Sequence, residues 1–142
     1  MAELERRLGH RLRDPARLGQ ALTHASYANE NPPAPDNAGL ALLGDAALGL
    51  VVAEHLLASD PTASVGVLTE QRAALVSGER LARWAGELEL GPLLRLGRGE
   101  DLTGGRARES VLATALEAVL GAIYLEGGLA AVRLVVSRLA LW

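Results

Sequence analysis

Two long apolar stretches, Asn37–Leu57 and Glu109–Leu125, leave this chain few ways to fold. Each is apolar nearly all round, which is how a central helix packed by neighbours on every side reads. Each carries one carboxylate near its middle, Asp45 in the first and Glu117 in the second. A carboxylate on an apolar helix is costly to bury unless it is hydrogen-bonded, paired or holding a cation. One and two turns back on the same faces stand Ala41, Ala38 and Thr114. The spacing suits a divalent-metal site, yet most of the oxygen ligands are missing.

A chain of 142 residues is one domain by length, read here as 1–142. With 49% apolar residues it can bury a core without staples, built from Leu, Val and Ala because aromatics are only 3% and Phe is absent. Cysteine is absent too, which excludes disulfides, thiolate metal sites and cysteine nucleophiles. Met1–Arg13 mixes charges with scattered leucines and has no apolar run, so no secretory signal or membrane anchor is expected there, and the expected location is cytoplasmic with no membrane partner. The net charge is -3 and every non-histidine base is Arg. That balance opposes wrapping nucleic acid over the whole surface but leaves room for a local Arg patch.

Along the chain, Leu4, Leu8 and Leu12 share one helical face, and Asp14-Pro15 is a helix start with an Asp cap and Pro at the first position. The helix from it runs roughly over Ala16–Ala25. Asn31-Pro32-Pro33-Ala34-Pro35-Asp36 cannot be helical and reads as a surface loop, after which Asp36 or Asn37 caps the first long helix. Short helices are predicted over Leu68–Val76 and Leu81–Leu90. Arg95–Arg108 is the least regular part, with four glycines among Arg95, Arg98, Arg106 and Arg108. Gly127-Gly128 is read as a stop before a last amphipathic helix over Leu129–Leu141. No strand alternation appears, so the fold class is all-α with about seven helices.

Several segments together resemble the endonuclease domain of the ribonuclease III family. They are Ala21-Leu22-Thr23-His24-Ala25-Ser26-Tyr27, Asn37–Leu50, Arg72-Ala73-Ala74-Leu75-Val76-Ser77, Leu94–Glu100 with Gly104-Gly105-Arg106, and Glu117–Gly128. The resemblance runs from Leu12 to about Arg138. It implies an all-helical homodimer that cuts double-stranded RNA, with Mg²⁺ held by carboxylates of the two long helices. Many members carry a separate double-stranded RNA-binding domain after the nuclease domain, and none is expected in this chain.

The departures from the family pattern fall where the chemistry sits. Against the signature Asn-Glu-Arg-Leu-Glu-Phe-Leu-Gly-Asp stands Asn37-Ala38-Gly39-Leu40-Ala41-Leu42-Leu43-Gly44-Asp45. The acidic positions of the resemblance are therefore Ala38, Ala41, Val65 and Thr114 here, while Asp45 and Glu117 remain. Ala38, Ala41 and Asp45 lie at i, i+3 and i+7, hence on one helix face, and Thr114 and Glu117 at i, i+3. Mg²⁺ takes near-octahedral oxygen ligation and keeps several waters, using one or two carboxylates plus a substrate phosphate. Asp45 and Glu117 could hold one weak Mg²⁺ or Mn²⁺ ion as residual catalytic and metal residues; Thr114 adds at best a neutral oxygen.

From these losses the sequence predicts a catalytically inactive or strongly impaired domain that binds structured RNA, double-stranded or ribosomal, or a ribonucleoprotein. An atypical metal-dependent double-stranded RNA endonuclease is the alternative, and a protein-interaction module forming homo- or heterodimers is a third. Arg95, Arg98, Arg106 and Arg108 are the candidate RNA contacts, since arginine binds backbone phosphates and these fix position rather than sequence. The bland reading of their segment is a solvated turn. It is not a P-loop, because the Lys-Ser/Thr terminus is absent. His24 is read as a hydrogen-bonded histidine rather than a base, Ser26 lacks a triad partner, and Glu54 is read as a surface residue. Leu40, Leu43 and Ala47 are expected to exceed the core's needs and to serve a dimer contact.

Overall fold

A computed structural model describes residues 1–139. Among them are eight α-helices: α1 (Ala2–Leu8), α2 (Pro15–Ala21), α3 (Ala25–Glu30), α4 (Ala38–Ser59), α5 (Val65–Leu75), α6 (Gly78–Glu87), α7 (Arg98–Leu102) and α8 (Glu109–Arg138). Two single 3₁₀ turns, Gly91–Leu93 and Gly105–Ala107, join the later elements. The only strand-like pairing described is one parallel bridge between Thr23 and Arg95.

The local signals act as the sequence suggests. The Asp14 side chain accepts from the Ala16 amide, with Pro15 opening α2. Ser77 caps α6 through the Arg80 amide; the Ser64 cap on the Val67 amide, which the sequence reading did not use, starts α5 at Val65 and not at the predicted Leu68. At the start of α4 the two candidates divide the work. Asp36 accepts from the Ala38 amide, while Asn37 is buried and its side-chain amide donates to the Ala21 carbonyl. Asn37 therefore ties α4 to the end of α2 instead of capping.

α4 and α8 form the centre. Both are long and apolar enough to cross a membrane by length and composition alone. Here they pack on each other, and their Leu48, Val52, Leu116, Leu120 and Ile123 are among the most fully buried side chains. α6 lies against α8 with Leu81, Trp84 and Ala85 inward, and α2 closes another side. α5 is different, since none of its residues is buried and it touches mainly α4.

Three differences from the sequence reading have physical causes. The expected stop at Gly127-Gly128 is a kink inside α8: Gly128 takes φ 67° and ψ -166°, and the helix resumes to Arg138. The expected single helix over Ala16–Ala25 ends at Ala21, and a new one starts where His24 supplies its own cap, the ring Nδ1 accepting from the Ser26 amide. The Gly-rich segment is more ordered than a solvated turn, because α7 forms within it. The last residues of the predicted Leu129–Leu141 helix lie outside the described ones.

Candidate active site

α4 and α8 cross almost backbone to backbone. A Cβ built on Gly44 would fall on the Glu117 carbonyl oxygen and stand 2.8 Å from the Gly121 amide nitrogen. One built on Gly121 would fall on the Leu40 carbonyl oxygen. Only glycine at both positions permits this approach. Asp45 follows Gly44 directly and Glu117 lies one turn before Gly121, so the crossing sets the two carboxylates side by side.

The Asp45 carboxylate lies close enough to the Glu117 carboxyl to act on its protonation. Asp45 is exposed and Glu117 half-buried. Burial first, then the hydrogen bond with Asp45, then the negative charge of Asp45 push the Glu117 carboxyl up to about 7. Glu117 thus holds a proton toward Asp45 at mildly acid pH. Two acids gathered this way, with a proton where a positive charge is needed, have the electrostatics of a cation site whose charge is under-supplied. Among the described residues no group of three His, Cys, Asp or Glu converges. Two carboxylates still fit the smaller protein share that Mg²⁺ accepts when it keeps water and gains substrate oxygen.

The four positions that the resemblance makes acidic fall in three places. Ala41 and Thr114 sit one turn from Asp45 and Glu117 on the crossing helices, Ala41 buried and Thr114 half-buried. Ala38 is exposed in the first turn of α4. Val65 is not gathered with them; it is 81% exposed on α5 and lines a separate apolar notch with Leu56, Leu57 and Leu68.

The four candidate RNA-contacting arginines also separate. Arg106 binds Asp101 and donates to the Gly91 and Leu94 carbonyls. Arg108 pairs with Glu100 and donates to the Thr103 carbonyl. Both guanidinium groups pin the Gly-rich segment, which explains its order. Arg95 and Arg98 are exposed, and their side chains are not used this way. The segment is anchored at its start by α3, because Ser26 Oγ accepts from the Gly97 amide and Glu30 from the Arg98 amide. His24 Nδ1 lies 2.8 Å from Ser26 Oγ and also accepts from the Ser26 amide, a hydrogen-bonded histidine at the start of α3. Glu54 is an exposed ion-pair partner of Arg133.

Leu40 and Ala47 are core residues of the single chain, and Leu43 is half-buried. The exposed apolar side chains of α4 are instead Leu42, Leu50 and Leu57. Two site-building features were not singled out from the sequence. One is the Gly44–Gly121 contact, whose only signal is a glycine in each apolar helix. The other is Arg72 of α5, which lines one concavity with Asp45.

The comparisons agree with this architecture. A family model described as Ribonuclease-III-like matches residues 14–141. Proteins named Ribonuclease 3 from Heliobacterium modesticaldum and Streptomyces coelicolor are 52% and 51% identical to this chain. The matches cover 93% and 96% of the chain but 57% and 49% of those relatives, so the chain spans about half their length. A solved nuclease domain of ribonuclease III from Campylobacter jejuni, described for structural flexibility in a region involved in dimer formation, superposes with a TM-score of 0.91 at 37% identity. That likeness covers 96% of this chain and 93% of the solved one.

Proposed function

The chain belongs to the ribonuclease-III-like family, and from that premise we propose that it is a divalent-metal-dependent endonuclease domain for double-stranded RNA, acting in RNA processing as a homodimer. One observation carries the reading. Asp45 and Glu117 are set side by side where α4 and α8 cross, at an approach that only glycine at positions 44 and 121 permits. The extent of identity to proteins named Ribonuclease 3 supports it, and gives no support to the inactivity that the missing acids first suggested.

Mg²⁺ or Mn²⁺, when bound, supplies charge neutralisation at a phosphodiester and activation of water for attack. Asp45, exposed, offers a carboxylate oxygen at the mouth of the site. Glu117, half-buried, gives up its proton as a cation arrives, because ligation requires the deprotonated form. Ala41 and Thr114 add no charge, so cation affinity is low and turnover slow relative to a full carboxylate set. The homodimer reading is supported by the exposed Leu42, Leu50 and Val65, and by the dimer-forming region described for the Campylobacter domain.

Incubating the protein with labelled double-stranded RNA and Mn²⁺ or Mg²⁺ tests the activity. Cleavage that disappears in Glu117→Gln supports it. Duplex binding without cleavage at any metal concentration overturns it in favour of a non-catalytic RNA-binding domain, the reading favoured by Ala41 and Thr114.

A further inference from the structure

Between α4 and α5 lies an open concavity of about 480 Å³ with charges of opposite sign on its wall. Asp45 lines it from α4 and Arg72 from the last turn of α5. Its floor is opened by small side chains of α4, Ala46, Gly49 and Ala53. The two charges do not close on each other, for no ion pair joins them among the described residues. Arg72 is exposed, and none of the described hydrogen bonds uses its guanidinium. Arg106 and Arg108, by contrast, are committed to the fold.

A cleft with an acid on one wall and an uncommitted guanidinium on the other, kept apart by space, suits a ligand that is itself divided in charge. A nucleic-acid backbone phosphate beside a cation is such a ligand. Arginine presents a planar fork matched to phosphate oxygens. α5 buries none of its own residues, so it contributes little to the core and presents Arg72 toward this cleft. We propose that Arg72 binds a backbone phosphate of double-stranded RNA and so positions the strand across Asp45 and Glu117. This rests on the double-stranded RNA reading above. Arg72 is a positioning residue, since it acts on where the duplex lies and not on the reacting atoms.

The test is duplex binding by fluorescence anisotropy over a range of salt concentrations. It compares the wild-type chain, Arg72→Ala, Arg72→Lys and, as a control on an exposed arginine of α6 outside the cleft, Arg83→Ala. Arg72→Ala is expected to weaken binding roughly tenfold at about 0.1 M salt and to lower the log–log salt slope by about one. Arg72→Lys keeps the slope and loses part of the affinity, and Arg83→Ala changes neither. In cleavage assays Arg72→Ala raises KM more than it lowers kcat. Wild-type binding with an unchanged affinity and slope in Arg72→Ala overturns the assignment while leaving the RNA reading intact. Tighter Mn²⁺ binding by Arg72→Ala with unchanged RNA affinity also overturns it, making Arg72 a counter-ion of Asp45. Failure of the wild-type chain to bind duplex at any salt overturns both.

Discussion

The α-carbon of Gly44 faces the carbonyl oxygen of Glu117 with no room for a methyl group between them. The contact between backbones is what brings Asp45 to Glu117, so the site depends on a residue with no chemistry of its own. Gly44→Ala is expected to force α4 and α8 apart and to destabilise the fold by on the order of 3 kcal/mol, since overpacking a rigid helix crossing has no flexible neighbour to yield. Chemical denaturation measures the loss. Gly49→Ala, on the same helix with open space around it, serves as the comparison and costs little.

The proton held by Glu117 makes stability depend on pH. Its folded-state value, about 7, lies above the ordinary 4.5. The folded state therefore favours the protonated form. The resulting contribution is fully present below about 4.5 and is lost as pH rises through about 7. The melting temperature of the metal-free protein should fall across that window, and Glu117→Gln should remove that part of the slope. Thermal melts of the two proteins at matched pH measure it; parallel curves would contradict the shared proton.

Cation binding should show the same linkage. Glu117 would have to lose its proton to hold a cation, so calorimetric titrations with Mn²⁺ in buffers of different ionisation enthalpy should reveal proton release below pH about 7, and affinity should rise through that pH. Asp45→Asn should abolish Mn²⁺ binding and the proton release with it.

Ala41 and Thr114 stand one turn from the two remaining acids. Restoring charge there should restore affinity: Ala41→Glu with Thr114→Asp is expected to tighten Mn²⁺ binding about tenfold or more and to raise the cleavage rate, because affinity follows ligand charge count. The metal-free double variant should be less stable than the wild-type chain, since it adds like charges to a site already short of positive charge. Both effects are read from calorimetry and duplex cleavage.

Arg106 and Arg98 should separate structure from recognition. Arg106 donates to two main-chain carbonyls and to Asp101, so Arg106→Ala should cost roughly 1–2 kcal/mol of stability. Arg98 has an exposed side chain, and Arg98→Ala should leave stability unchanged while weakening duplex binding with a shallower salt slope. Urea denaturation and anisotropy together distinguish them.

Much of this molecule is legible in its sequence because the governing interactions are local. The apolar periodicity of Asn37–Leu57 and Glu109–Leu125 dictates two central helices, and Asp14 and Ser77 cap their helices through amides two or three residues away. The spacing of Asp45 from Ala41, and of Glu117 from Thr114, is likewise a property of one helix at a time. What the tertiary structure alone decided is every relation between elements. The closeness of Asp45 and Glu117 follows from Gly44 meeting Gly121, two positions far apart in the chain. The commitment of Arg106 and Arg108 follows from where Gly91, Leu94 and Glu100 come to lie. Arg72 joins the site only because α5 packs on α4. Charge and helix period are written residue by residue, whereas distance across a helix crossing is set by which backbones can approach, and no single segment contains that information.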